Sequence, residues 1–106
     1  MKEEAIELIH GSDNIFRDFG YPDAEVMLAK ALMASQIIKL LDREKLTVRT
    51  AHARTGIAAA DFSRIRRCDL ARFTLDHLLM VLTRLGARVE LNIKVRTMKA
   101  RKKVAA

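Results

Sequence analysis

The side chains with the most chemistry to offer stand close together between Leu46 and Arg67, in LTVRTAHARTGIAAADFSRIRR. Arg49 precedes Gly56, and Arg64, Arg66 and Arg67 follow it. A guanidinium carries a planar fork of N–H donors that fits a phosphate, or the O6 and N7 edge of guanine, through two hydrogen bonds at once. Covalent and acid–base chemistry have no comparable support. No nucleophile, acid/base pair or phosphate-cradling loop occurs at a useful spacing, so no enzymatic role is expected. His10, His52 and His77 lie far apart without partner ligands, which argues against zinc, and no cofactor is implied. Cys68 is the one cysteine, so an internal disulfide is excluded.

Arginines read a surface only if a rigid element aims them, and the same stretch predicts two short helices joined at a turn. Thr47 can accept a hydrogen bond from an otherwise unpaired amide of a first helix, and Gly56 can end that helix at positive φ without a Cβ clash. Ile57 would seal the corner. A second helix is expected from about Ala59 to Arg67, with Phe62 and Ile65 on one face and Arg64 and Arg67 on the other. A short apolar-backed helix presenting arginines after a glycine turn is how a recognition helix enters a DNA major groove. Two helices around a glycine also occur in α-helical domains with no such role, and exposed arginines are usually just solvated.

The flanking elements supply the scaffold. Asp23, after Pro22, is placed to cap a helix running from Ala24 to Glu44, where Met27, Ala31, Ala34, Ile38 and Leu41 recur at steps of three or four beside Ile37 and Leu40. The methionines at this spacing read as core filler. Beyond the loop CDLARF, Thr74 caps a helix from about Leu75 to Leu85 with Leu75, Leu78, Leu79, Leu82 and Leu85 as its apolar face, and Gly86 ends it. Arg66, Arg67 and Arg72 surround that loop and are placed to touch phosphates on either side of a groove.

Past Gly86 the apolar period changes to two. Val89, Leu91, Ile93 and Val95 alternate with Arg88, Glu90, Asn92 and Lys94, which predicts a half-buried β-strand. A strand needs a partner, and the expected one is the same strand of a second copy, antiparallel about a two-fold axis. Pairing with the N-terminal segment of its own chain is the competing account. The expected class is therefore mostly α: a compact helical bundle containing a helix-turn-helix, with a C-terminal β-strand pairing across a dimer. Residues 1–22 are read as an N-terminal extension whose Ile15, Phe16 and Phe19 cover the bundle, 23–95 as the helix-turn-helix domain with its dimerisation strand, and 96–106 as a basic, disordered tail.

Composition agrees with one such domain, since 106 residues suffice for one core, and with no Trp, one Tyr and four Phe that core must be mainly aliphatic. The net charge of +7 is unevenly placed. Residues 1–44 carry five Lys or Arg against nine Asp or Glu, whereas residues 45–106 carry fifteen against four. The basic half holds the paired helices and would attract a polyanion, while the acidic half would turn away from it or toward a basic protein. The start MKEEAIELIHGSD is too acidic for a signal peptide, and no apolar run approaches the ~20 residues of a membrane span, so the cytoplasm is expected.

Several blocks, in order, carry a family resemblance: SDNIFRDFGYPDAEVMLAKALMASQIIKLL at 12–41, LT at 46–47, ARTGI at 53–57, FSRIR at 62–66 and FTLDHLLMVLTRLGARVEL at 73–91. Together they resemble the Xre (Cro/CI-type) helix-turn-helix proteins, and within them the small HigA-like antitoxins and regulators. The resemblance implies a sequence-specific DNA-binding repressor, often encoded with a RelE/HigB-like toxin that it neutralises. The dimer expected from the strand adds two recognition helices about one helical turn apart, which match an inverted repeat of double-stranded DNA. Carried over residue by residue, the groove-facing positions fall on Ala59, Ala60, Ser63 and Arg64. The chain departs from the family pattern at Val48, where Gln usually braces the backbone, so phosphate positioning passes to Thr47 or Arg49. It departs again at His52, where a small residue is usual; His52 is expected to be a partly buried packing residue.

Overall fold

The computed structural model describes Gly20 and residues 23–97. Among the described residues the framework is four α-helices: α1 at Ala24–Arg43, α2 at Val48–Thr55, α3 at Ala59–Arg66 and α4 at Leu75–Arg84. Each lies within a residue or two of the range expected from periodicity and stop signals. The expected cover formed by Ile15, Phe16 and Phe19 lies outside the described residues, as does most of the basic tail.

The longest helix, α1, contains neither Gly nor Pro and buries Ala24, Ala34, Ile37 and Leu41. The centre of its buried stripe is thus Ala34, Ile37 and Leu41, with Met27, Ala31, Ile38 and Leu40 half-buried along its flanks. Asp23 corrects one expectation. It stands at the N-cap but its side chain makes no capping hydrogen bond, because its backbone (φ −105, ψ 43) departs from the extended geometry that swings a side chain over the first amides. Its carbonyl still starts the helix by accepting the Met27 N–H at 2.9 Å.

Three of the helices stop in the same way. After α1, the Leu46 N–H reaches the Leu41 carbonyl and the Lys45 N–H the Asp42 carbonyl; after α3, Asp69 pairs back to Arg64 and Cys68 to Ile65; after α4, Ala87 pairs back to Leu82 and Gly86 to Thr83. This double closure satisfies the last carbonyls and needs one residue in the left-handed region. Gly86 fills that position after α4 at φ 95, but Lys45 and Cys68 fill it after α1 and α3 at φ 55 and 58, where a side chain is strained.

α1 packs chiefly on α4 and also on α3, while α2 and α3 pack on each other. One core results, contributed by Ala34, Ile37 and Leu41 of α1, Ala51 of α2, Ile57 of the turn, Phe62 and Ile65 of α3, Phe73 of the following loop, and Leu78, Val81 and Leu82 of α4 with Leu85 behind them. Phe73 and Val81 are buried although the apolar spacing did not select them, and Leu75 and Leu79 are only half-buried. The buried stripe of α4 is therefore rotated toward Val81 from the one read in the sequence.

Residues 87–97 carry no regular secondary structure in the single chain, and no strand occurs among the described residues. Val89 packs against the core cluster, whereas Leu91, Ile93 and Val95 are 62%, 76% and 88% exposed. Among the described residues no helix is long and apolar enough to cross a membrane.

Candidate nucleic-acid interface

The geometry of the arginine-bearing helices is set at two capped ends. At the entrance to α2, the Thr47 hydroxyl accepts the Thr50 N–H at 3.1 Å and the Thr50 hydroxyl accepts the Thr47 N–H at 2.8 Å. This reciprocal box satisfies two amides that the first turn would otherwise leave unpaired. Thr47 is therefore committed to the fold through its hydroxyl. At the other end, Gly56 adopts φ 81 and its N–H closes on the His52 carbonyl at 2.7 Å.

Three side chains then lock the turn. The buried Thr55 hydroxyl donates to the Ala51 carbonyl at 2.7 Å and accepts the Ile57 N–H at 3.1 Å. Arg84 reaches across from α4, its Nη1 donating to the Thr55 carbonyl at 3.2 Å. His52 Nδ1 lies 2.9 Å from the Ile57 carbonyl, and because a carbonyl can only accept, the proton sits on Nδ1. His52 is thus an exposed brace spanning the elbow, which corrects the expectation of a packing residue. Its ring reaches over the turn that a smaller residue would leave open.

α3 is anchored through Phe62 and Ile65, both with 0% exposure. Ala60 is exposed and Ala59, Ser63 and Arg64 are half-buried, so the side of the helix away from the core is built of small residues beside one guanidinium. Arg64 is not a free cation: its Nη1 donates to Asp61 Oδ1 at 3.0 Å, one turn back on the same helix. The other arginines sort by partner. Arg66 reaches back to Asp42 at the end of α1 at 2.8 Å, Arg67 lies 3.9 Å from Asp69, and Arg54 pairs with Glu44 at 3.0 Å. Arg49 and Arg72 are exposed and make no hydrogen bond or ion pair among the described residues.

Two short helices set by a braced glycine turn, the second anchored on the core by Phe62 and Ile65, form a helix-turn-helix. A sequence profile described as a helix-turn-helix domain matches residues 15–94, which take in the four described helices and the apolar alternation after α4 as far as Lys94. The chain belongs to the helix-turn-helix domain family. No curated protein and no solved structure matches it. As a helix-turn-helix protein it is suited to DNA as partner, and α3, the second helix of the pair, stands in the position of the recognition helix.

Sequence reading missed Thr55, Asp61 and Arg84 as parts of this unit. Asp61 and Arg64 stand three apart on a helix, a spacing that itself signals an ion pair. Arg84 gave no such signal, because its partner is 29 residues away.

Proposed function

We propose that this protein is a dimeric transcriptional repressor that binds an inverted-repeat operator, at its own promoter, by laying α3 in the major groove. The observation that carries this reading is the outer side of α3, where small residues and Arg64 stand in front of a turn braced from α2 and α4. Arg64 is the base reader, with a guanidinium suited to guanine O6 and N7. Ala59 and Ala60 allow close approach and meet thymine methyls, and Ser63 adapts to either kind of base edge. Arg49, Arg66, Arg67 and Arg72 touch phosphates, as does Thr47 through the start of α2, and these contacts fix register without reading sequence. Arg49 and Arg72 contribute most, because Arg66 and Arg67 share their charge with Asp42 and Asp69.

Val89, Leu91, Ile93 and Val95 form the dimer contact. The exposure of the last three supports this, since an alternating apolar row left in water marks a surface that another chain covers. Footprinting on the DNA upstream of the protein's own gene tests the reading. A protected inverted repeat at low salt is expected, and no protected site would overturn it.

A second reading is favoured by the charge segregation. The acidic residues of the first 44 positions suit a basic protein, and the resemblance to HigA-like antitoxins points to a RelE/HigB-like toxin as that partner. The two roles are compatible in one chain. Co-purification with the product of an adjacent gene distinguishes an antitoxin from a solitary repressor.

A further inference from the structure

We infer that Asp61 is the positioning residue that gives Arg64 its base preference, holding one edge of the guanidinium so that the other is offered to guanine. The inference rests on the reading of α3 as the recognition helix. Oδ1 of Asp61 accepts from Nη1 of Arg64 at 3.0 Å, and the two side chains are only 24% and 28% exposed. An arginine side chain turns about several bonds, and on an open helix face it would sample many directions, most of them useful for any nearby phosphate. With Nη1 held at 3.0 Å, the guanidinium is kept beside α3 and samples fewer directions, and its remaining N–H groups form a fork of the kind that bonds two acceptors of one base edge.

The carboxylate acts in a second way. Asp61 is the one acidic residue of α3, so it stands beside whatever Arg64 touches. A phosphate brought to Arg64 would meet that negative charge with a full charge of its own, whereas the guanine edge carries only partial charges and is repelled far less. The pair therefore weakens the sequence-independent contact more than the base contact, and specificity is the ratio of the two. The ordinary alternative is an ion pair that serves only helix stability, with Asp61 favoured in the first turn by the positive end of the helix dipole. That role would change thermal stability without touching base preference.

The test is a selection from a randomised duplex pool, followed by equilibrium binding of the full chain to the selected duplex, to its single base-pair variants and to a scrambled duplex. The unchanged protein should prefer guanine at one half-site position by roughly tenfold or more, as expected for one bidentate contact, and Arg64→Ala should abolish that preference. Asp61→Ala should reduce the preference at the same position several-fold while binding the scrambled duplex several-fold more tightly. Asp61→Asn keeps the side-chain shape and should show the same direction of change, which covers the case in which the alanine variant folds poorly. Unaltered preference in both Asp61 variants, or in Arg64→Ala, overturns the inference and leaves the repressor reading standing. A pool that yields no enriched sequence overturns both.

Discussion

Thr55 illustrates how much of the helix-turn-helix depends on single polar atoms. Its hydroxyl both donates and accepts inside the turn, and the residue is 8% exposed. Replacement by Val keeps the volume but leaves the Ile57 N–H without its acceptor, so Thr55→Val should cost about 1–3 kcal/mol in urea denaturation. Loss of DNA binding should then track loss of fold. Arg64→Ala should behave in the opposite way, costing about 1–3 kcal/mol on the operator in titrations against labelled duplex, while stability changes little because an ion pair one turn apart on a helix contributes about 0.2–0.5 kcal/mol. If the loss is equal on operator and scrambled DNA, Arg64 is a phosphate contact. The types and spacing of Thr47, Gly56, Phe62 and Ile65 were enough to place them, since caps, turns and anchors are local properties. His52 and Arg84 were not legible, because each acts on a carbonyl whose position depends on the folded turn.

At the scale of elements, helix ends hold untapped stability. Lys45 and Cys68 close α1 and α3 at positive φ, a conformation that costs a side-chain-bearing residue roughly 1–2 kcal/mol relative to glycine. Lys45→Gly and Cys68→Gly should each raise stability, by about 0.5–1 kcal/mol after the greater chain entropy of glycine is subtracted, and should raise Tm in calorimetry. A lowered Tm in both would show that the side chains contribute more than the strain removes. The start of α4 adds a pH dependence. The Thr74 hydroxyl, bonded to the Asp76 carboxylate, is the main cause that lowers its pKa below the ordinary 3.8, with nearby backbone amides and His77 helping. A carboxyl whose folded pKa is depressed stabilises the fold above its unfolded pKa and loses that contribution as pH falls through the folded value. Asp76→Asn should therefore flatten the fall of Tm as pH drops below about 5. Helix positions were legible because α1 and α4 repeat their apolar residues at helical spacing over several turns, and the non-glycine stops at Lys45 and Cys68 still fell within a residue of expectation. The Asp23 cap was misjudged because residue type alone does not fix the backbone angles that a cap requires.

For the whole molecule, the question is what covers the C-terminal apolar row. Composition and apolar spacing made a helical domain legible, whereas the strand expected from the alternation at 88–95 is not formed by the single chain. Val89 is held by the core, while Leu91, Ile93 and Val95 face water in the monomer. A strand of a second copy would cover that row and pair its backbone at the same time. Leu91→Glu places a carboxylate where the partner strand would bury it, and a buried unpaired charge is strongly disfavoured. Leu91 is 62% exposed in the single chain, so the four-helix core should fold unchanged in this variant, as judged by circular dichroism. Sedimentation should show the unchanged protein as a dimer and Leu91→Glu as a folded monomer. Operator affinity should then fall far more than affinity for scrambled DNA, because only linked half-sites gain from the high effective concentration of the second recognition helix. A variant that stays dimeric with unchanged operator binding would move the interface to a helical face, where Met80 of α4 and Val26 of α1 are the exposed apolar side chains to replace next.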